Sequence, residues 1–282
     1  MNGKIQVARL SVISNILLII LKLVAGLISG SVSIISEAIH SSMDLIAAVI
    51  AFFAVRISDN PPDKRHPYGH GKIENISGVI EAILIFIAAA WIVYEAVKRL
   101  IAGSPELDVV WLGLLVMIIS SIVNTIVSAF LYKTARRTGS IALEADALHL
   151  KTDVYTSLGV SAGLGLIIIT RIKWIDSIVA ILVAIIILFE SYRILKKAFT
   201  PLMDESWPEK DIITLNNTLD EMGVSYHEVR TRVAGNYLFV DLHVEVPKNE
   251  SVENSHKYCD MIEEKLNEKF KNLNVTIHIE PV

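Results

Sequence analysis

A single cysteine, Cys259, is all the thiol chemistry this 282-residue chain has. An intrachain disulfide, a thiolate zinc finger and an iron-sulfur cluster each need more than one. The disulfide-stapled secreted class is therefore excluded, and the tail carrying Cys259 is expected to face a reducing compartment. Charge is scarce as well: 20% of the residues are Asp, Glu, Lys or Arg against 52% hydrophobic, and the mean hydropathy is +0.51. A soluble domain does not reach that balance. Proline is missing where helices are expected, since none of the eight falls inside an apolar run. The first run is too long for the h-region of a signal peptide and no small-residue cleavage signal follows it before the second, so it is expected to be retained. What is left is an integral membrane protein.

A hydrocarbon core about 30 Å thick asks for ~20 apolar residues per helix. Six runs meet that length, over 8–29, 33–57, 76–98, 109–132, 142–170 and 174–195. Gly30-Ser31, Pro61-Pro62 with Pro67-Tyr68-Gly69, Gly103-Ser104-Pro105 and Arg136-Arg137-Thr138-Gly139 supply turn chemistry between them. Twelve Lys and Arg flank the run ends on one side (Lys4, Arg9, Arg56, Lys64, Arg65, Lys72, Lys133, Arg136, Arg137, Arg193, Lys196, Lys197) and four on the other (Lys98, Arg99, Arg171, Lys173). The positive-inside rule then predicts that the N- and C-termini are both cytoplasmic.

The last part of the chain reads differently. Residues 201–282 hold 8 basic and 16 acidic residues. Pro208 opens a predicted helix to about residue 222, alternation predicts strands over 225–233 and 237–246 around Gly235-Asn236, and a helix over 251–270 precedes a last strand over 275–279. The order αββαβ predicts a compact α+β domain, ferredoxin- or metallochaperone-like, with helices on one sheet face. The expected fold is thus an α-helical membrane protein: a six-transmembrane-helix bundle over 1–203, followed by a small cytoplasmic α+β domain over 204–282.

One internal repeat stands out. Glu37-Ala38-Ile39-His40-Ser41-Ser42-Met43-Asp44 in the second run and Asp146-Ala147-Leu148-His149-Leu150-Lys151-Thr152-Asp153 in the fifth share acid-Ala-apolar-His-x-x-x-Asp. Spacing of i, i+4 puts each His and its Asp on one helical face, near the bilayer midplane. Two carboxylates left in hydrocarbon cost several kcal/mol each, and two imidazoles with two carboxylates make a closed tetrahedral shell for a divalent ion, zinc fitting best. The alternative is that each pair is an interhelical hydrogen bond that glues the bundle. Two copies on helices of opposite direction, around a midplane site, match a transporter design instead. Glu37, Asp146 and Lys151 are expected to line an aqueous vestibule or pair locally. Lys22 and Glu190, also within runs, have no role in this reading.

These features, with the loop Asp63-Lys64-Arg65-His66-Pro67-Tyr68-Gly69-His70-Gly71-Lys72-Ile73-Glu74, the junction Leu202-Met203-Asp204 and the segment Val229-Arg230-Thr231-Arg232, resemble the cation diffusion facilitators along nearly the whole chain. That family consists of proton-coupled divalent-metal efflux transporters. The resemblance implies zinc as the favoured substrate of His40, Asp44, His149 and Asp153. It implies a second, cytoplasmic metal site at Asp63, His66 and His70, although Pro-Tyr-Gly-His-Gly is good turn chemistry by itself. It implies a binuclear site in the tail, where His243 bridges two ions, His227 and Glu280 hold one, and His256 and His278 hold the other. Glu280 stands where other members often have Asp. Lys72 and Asp204 resemble a family charge pair joining the third span to the end of the sixth. All eight histidines fall in one of the three sites.

The expected function is a homodimeric Zn2+/H+ antiporter of the cell membrane that exports metal from the cytosol by alternating access, with the lipid bilayer and protons as its other partners and no nucleic acid. Export of manganese, cadmium, cobalt or iron(II) is the alternative within the family. A membrane-embedded metalloenzyme would need an open coordination position and a general base, which four protein ligands do not leave. A passive channel would use weaker, repeated sites.

Overall fold

The computed structural model describes residues 3–29, 32–102, 111–170 and 175–282. It divides into two compact units, Met1–Ala198 and Phe199–Val282. The turn signals at 30–31 and 103–105, and Arg171 and Lys173, lie outside the described residues.

The first unit is a bundle of six long helices: α1 (Gly3–Ser29), α2 (Val32–Ser58), α3 (Lys72–Ala102), α4 (Trp111–Thr138), α5 (Ile141–Thr170) and α6 (Ile175–Phe199). Small residues share its interior with buried Ile85, Leu131, Leu143, Leu150 and Ile187. Ala47, Ala48, Ala51 and Ala54 of α2 and Ala142, Ala145 and Ala147 of α5 are all buried, and side chains this small let helix backbones approach closely. At Gly78 of α3 a Cβ would meet Ile141 Cγ2 at 2.7 Å and Ala198 Cβ at 3.1 Å, so glycine is what permits the approach to α5 and α6. Other large apolar side chains point outward: Leu17, Leu27, Ile87, Trp91, Ile122 and Phe189 are exposed. So many large apolar residues on the outside is the pattern of a bundle solvated by lipid.

Among the described residues, four stretches are long and apolar enough to cross a membrane: Gly3–Ile28, Lys72–Lys98, Leu115–Thr138 and Ser177–Met203. The two helices without such a stretch, α2 and α5, are the ones that carry the His-x-x-x-Asp repeats. Several helices also run beyond their apolar runs. α1 starts at Gly3 rather than residue 8, and α3 at Lys72 rather than 76. The added turns are polar, and a buried ion cluster satisfies them. Lys4 Nζ lies 2.9 Å from Glu74 Oε1 and 3.0 Å from Asp59 Oδ1, Ser58 Oγ donates to Glu74 Oε1 at 2.8 Å, and Ser140 Oγ donates to Glu74 Oε2. Glu74 thereby ties α1, α2, α3 and the residue before α5 together at one end of the bundle. Gly139, at φ +69°, supplies the left-handed residue that ends α4.

The second unit follows the expected αββαβ order. After one 3-10 turn at Thr200–Met203 come α7 (Glu209–Glu221), β1 (Tyr226–Ala234), β2 (Tyr237–Val246), α8 (Val252–Lys269) and β3 (Leu273–Pro281). The sheet order is β1-β2-β3, with β1 antiparallel and β3 parallel to β2. Helix α8 is the crossover that a parallel pair requires; it starts at Ser251, whose hydroxyl accepts from the Asn254 N–H. Alternation in β2 sends Val240, Leu242 and Val244 into a core with Leu215 and Leu219 of α7 and Ile262 and Leu266 of α8. The opposite face carries Asp241, His243 and Glu245.

Strand β1 is less regular than simple alternation predicts. The register jumps between His227 and Arg230, and Glu228 sits at φ +47°. The extra residue is a β-bulge. It keeps Tyr226 and Val229, three positions apart, both packed against the core, while His227 and Arg230 stay on the other face.

Candidate metal centre

Within the bundle, α5 presents His149 and Asp153 one turn apart, and α2 presents Asp44. His149 Nε2 stands 3.0 Å from Asp44 Oδ1, with Asp44 buried and His149 partly so. Asp153 Oδ2 accepts from the amide of Asn124 on α4 at 3.4 Å. These four side chains line one cavity of about 700 Å³, together with Lys22, Leu84, Trp91, Thr152 and Thr156. His40 falls on α2, but its side chain lies outside the described residues, as does that of Glu37. The arrangement brings an imidazole and two carboxylates from two helices to a single hollow in the bundle, the donor set that suits a divalent first-row ion.

Of the residues expected to line an aqueous vestibule or pair locally, Asp146 does not face the cavity and Lys151 pairs locally. Asp146 is completely buried and does not line the cavity, so it is no part of an aqueous vestibule. Its position one turn before His149 turns it into the helix interface. Lys151 is exposed and places its ammonium over the rings of Tyr132 and Tyr155, 5.6 and 5.2 Å from their centroids. Glu190 pairs with Arg193 on the same helix at 3.4 Å.

A second group forms in the loop between α2 and α3. Asp63 Oδ1 lies 3.4 Å from His66 Nδ1, and Asp63 Oδ2 lies 3.4 Å from His70 Nε2. One ligand atom from each residue falls within 4.8 Å of the other two. The loop is organised locally. Asp63 Oδ1 accepts the backbone N–H of His66 at 2.7 Å and of Arg65 at 2.8 Å, which holds the Asp63 carboxyl below its ordinary range. Gly69, at φ +83°, closes the turn onto the His66 carbonyl.

In the second unit, His227, His243 and His278 occupy one row across the three strands. Neighbouring rings in the row are 5.2 and 4.7 Å apart. Glu280 spans the row's first two members, with Oε2 3.1 Å from His227 Nε2 and Oε1 3.1 Å from His243 Nδ1. Among the described residues, His227, His243 and Glu280 are the ones that could share an ion here. His278 Nε2 is 3.7 Å from Glu280 Oε1. His256 stands on α8, exposed, 3.9 Å from Asp260, and is not drawn into the row. Two carboxylates missed in the sequence flank it: Glu245 Oε1 is 3.6 Å from His227 Nδ1, and Glu228 Oε2 is 3.8 Å from His243 Nε2. Glu245 was legible from its i, i+2 spacing to His243 on an alternating strand. Glu228 was not, because the bulge sets its direction. Asn124 was legible as a lone amide in an apolar run, where a polar group needs a partner.

Lys72 opens α3 in the first unit. Asp204 belongs to the second, where its Oδ1 lies 3.8 Å from Arg232 NH1. Cys259 is buried on α8, and burial together with the nearby Glu263 and Asp260 pushes its thiol up. A thiol so placed is a poor ligand.

Residues 8–203 match the family model of the cation efflux transmembrane domain, and residues 209–282 match that of the cation efflux protein cytoplasmic domain. The transporter sll1263 of Synechocystis sp. is 37% identical over 93% of this chain and 85% of its own length. Protein p34 of Rickettsia prowazekii is 30% identical over 98% of this chain and 92% of its own. The cation-efflux pump FieF of Shewanella oneidensis is 31% identical, covering 98% of this chain and 93% of that one.

Proposed function

The chain belongs to the cation efflux family, the cation diffusion facilitators, and on that premise we propose that it exports divalent metal, zinc above others, from the cytosol in exchange for protons. The observation that carries the reading is the contact of His149 with Asp44 across two helices, beside Asp153 in one cavity. With His40 of the same repeat, these residues form the transport site. Two imidazole nitrogens and two carboxylate oxygens match zinc in both number and softness.

In this reading six spans put both termini on one side of the cell membrane, and the Lys and Arg excess on that side makes it, and the loop of Asp63, His66 and His70, cytoplasmic. The cavity is lined by α3 residues from Leu84 to Ile92, well beyond the end of α3 that adjoins this loop. In this orientation it faces the non-cytoplasmic side. Imidazoles bind either a proton or a metal ion, so an acidic exterior displaces zinc there and a neutral cytosol lets it bind. The second unit pairs two chains and holds metal at His227, His243 and Glu280, with His278 at the end of the same row.

Zinc flux in proteoliposomes tests this reading. Vesicles with an acid interior should accumulate zinc when they carry the wild type, should accumulate much less once the pH difference is collapsed, and should accumulate none with Asp153→Ala. Equal accumulation with and without the gradient would remove the antiport, and normal flux in Asp153→Ala would remove the site.

A further inference from the structure

Lys22 is the one charged residue of α1 after Arg9. It is buried, 5% exposed, and it lines the cavity of Asp44, His149, Asp153 and Asn124. Its ammonium donates to Ser41 Oγ at 2.6 Å, on the turn of α2 just before Asp44. An ammonium at this depth is costly in hydrocarbon, and groups of this kind mark ion pathways. The bond to Ser41 by itself does not require a charge, since a neutral amide or hydroxyl would make it too.

What a charge does here follows from the shell beside it. Two carboxylates neutralise one dication, so a bound zinc ion leaves the ligand set without net charge. A lysine on the same cavity wall then repels the ion. When the ion is gone, two negative charges remain in a low-dielectric hollow, and the same lysine offsets them. The ammonium therefore favours the metal-free state over the metal-bound one. A carrier needs that bias, because closed four-ligand zinc shells of the structural kind hold their ion very tightly and a carrier must let it go in every cycle.

We propose that Lys22 is the resident cation of the transport cavity: it offsets Asp44 and Asp153 while no metal is bound and weakens the hold on a bound dication, so that release keeps pace with turnover. This rests on the reading of that cavity as the transport site. It adds a positioning residue that touches no metal and acts through the field it sets.

The test is the split between KM and kcat for zinc flux in proteoliposomes. Lys22→Gln keeps a donor for Ser41 and removes the charge. It should lower KM about ten-fold, the scale of one unit charge across a cavity of this size, and lower kcat with it, because release becomes slow. Lys22→Met, which keeps the stem without a donor, should shift KM in the same direction. Lys22→Arg should stay near the wild type. An unchanged or raised KM in the neutral variants overturns the proposal, as does an arginine variant that behaves like them. Failure of both neutral variants to fold also counts against it, since the charge would then serve the bundle rather than the cycle. If the wild type carries no zinc, or Asp153→Ala carries it normally, the underlying transport reading fails instead. If both of those behave as expected and KM does not move, only the role of Lys22 fails.

Discussion

His149 of α5 and Asp44 of α2 lie 105 residues apart in sequence and 3.0 Å apart in space. Spacing alone pairs His149 with Asp153, its i+4 neighbour, and leaves open whether the two repeats meet. They do meet, and they meet at a cavity. A hydrogen bond that only glues helices favours close packing around it, whereas a hollow of about 700 Å³ beside two carboxylates leaves room for an ion and its path.

Asn124 should matter although it carries no charge. Its amide fixes one oxygen of Asp153, and loss of such an orienting partner typically costs ten- to about a hundred-fold in metal affinity or activity. Asn124→Ala should therefore cut zinc flux by about that factor, and Asp153→Ala should take it to background, with elution from a sizing column unchanged in both. Flux in Asn124→Ala equal to the wild type would mean that the amide does not position the carboxylate.

The loop site should depend on the charge of Asp63. Hydrogen bonds from the backbone N–H groups of His66 and Arg65 hold the Asp63 carboxyl low. A depressed carboxyl contributes its order to the loop at every pH above its ordinary value, and loses it only as pH falls through the lowered one. Asp63 thus stays ionised until the pH falls below its ordinary range. Asp63→Asn should weaken zinc binding at the loop at neutral pH, read by equilibrium dialysis of a chain that also carries His227→Ala and His243→Ala. Zinc binding unchanged by that substitution would contradict the assignment.

In the tail, His227→Ala combined with His243→Ala should reduce the zinc bound per chain in equilibrium dialysis and leave residual transport. Glu280→Gln should weaken the same binding, because one carboxylate spans both imidazoles. Unchanged stoichiometry in the double variant would place the tail metal elsewhere.

Glu74→Ala should destabilise the bundle. It removes the acceptor of Ser58 and Ser140 and one of two partners of a buried lysine. Buried groups left unmatched cost about 1–3 kcal/mol each. Thermal unfolding in detergent should shift downward by several degrees, and no shift would mean that water reaches the cluster.

The sequence yields most where periodicity and burial coincide. Six apolar runs foretell six helices because hydrocarbon demands length and forbids unpaired backbone. The order of the tail is equally legible, because Val240, Leu242 and Val244 alternate cleanly with Asp241 and His243. Helix ends are not legible at Lys4 and Glu74. Each reads as an interfacial charge, and only the fold brings them together and buries them. The bulge at Glu228 is hidden for a similar reason: one extra residue leaves composition unchanged but redirects a carboxylate. Lys22 is visible as a charge in an apolar run, but its position against Asp44 and Asp153 depends on how α1 packs.

The most direct measurement is X-ray absorption on zinc bound to the chain after the loop and tail ligands are removed by Asp63→Ala, His66→Ala, His227→Ala and His243→Ala. The account predicts bound zinc in a four-coordinate shell of nitrogen and oxygen at about 2.0–2.2 Å, one imidazole fewer in His149→Ala, and one carboxylate oxygen fewer in Asp44→Ala. A six-coordinate oxygen shell, or a spectrum that neither substitution alters, would contradict it.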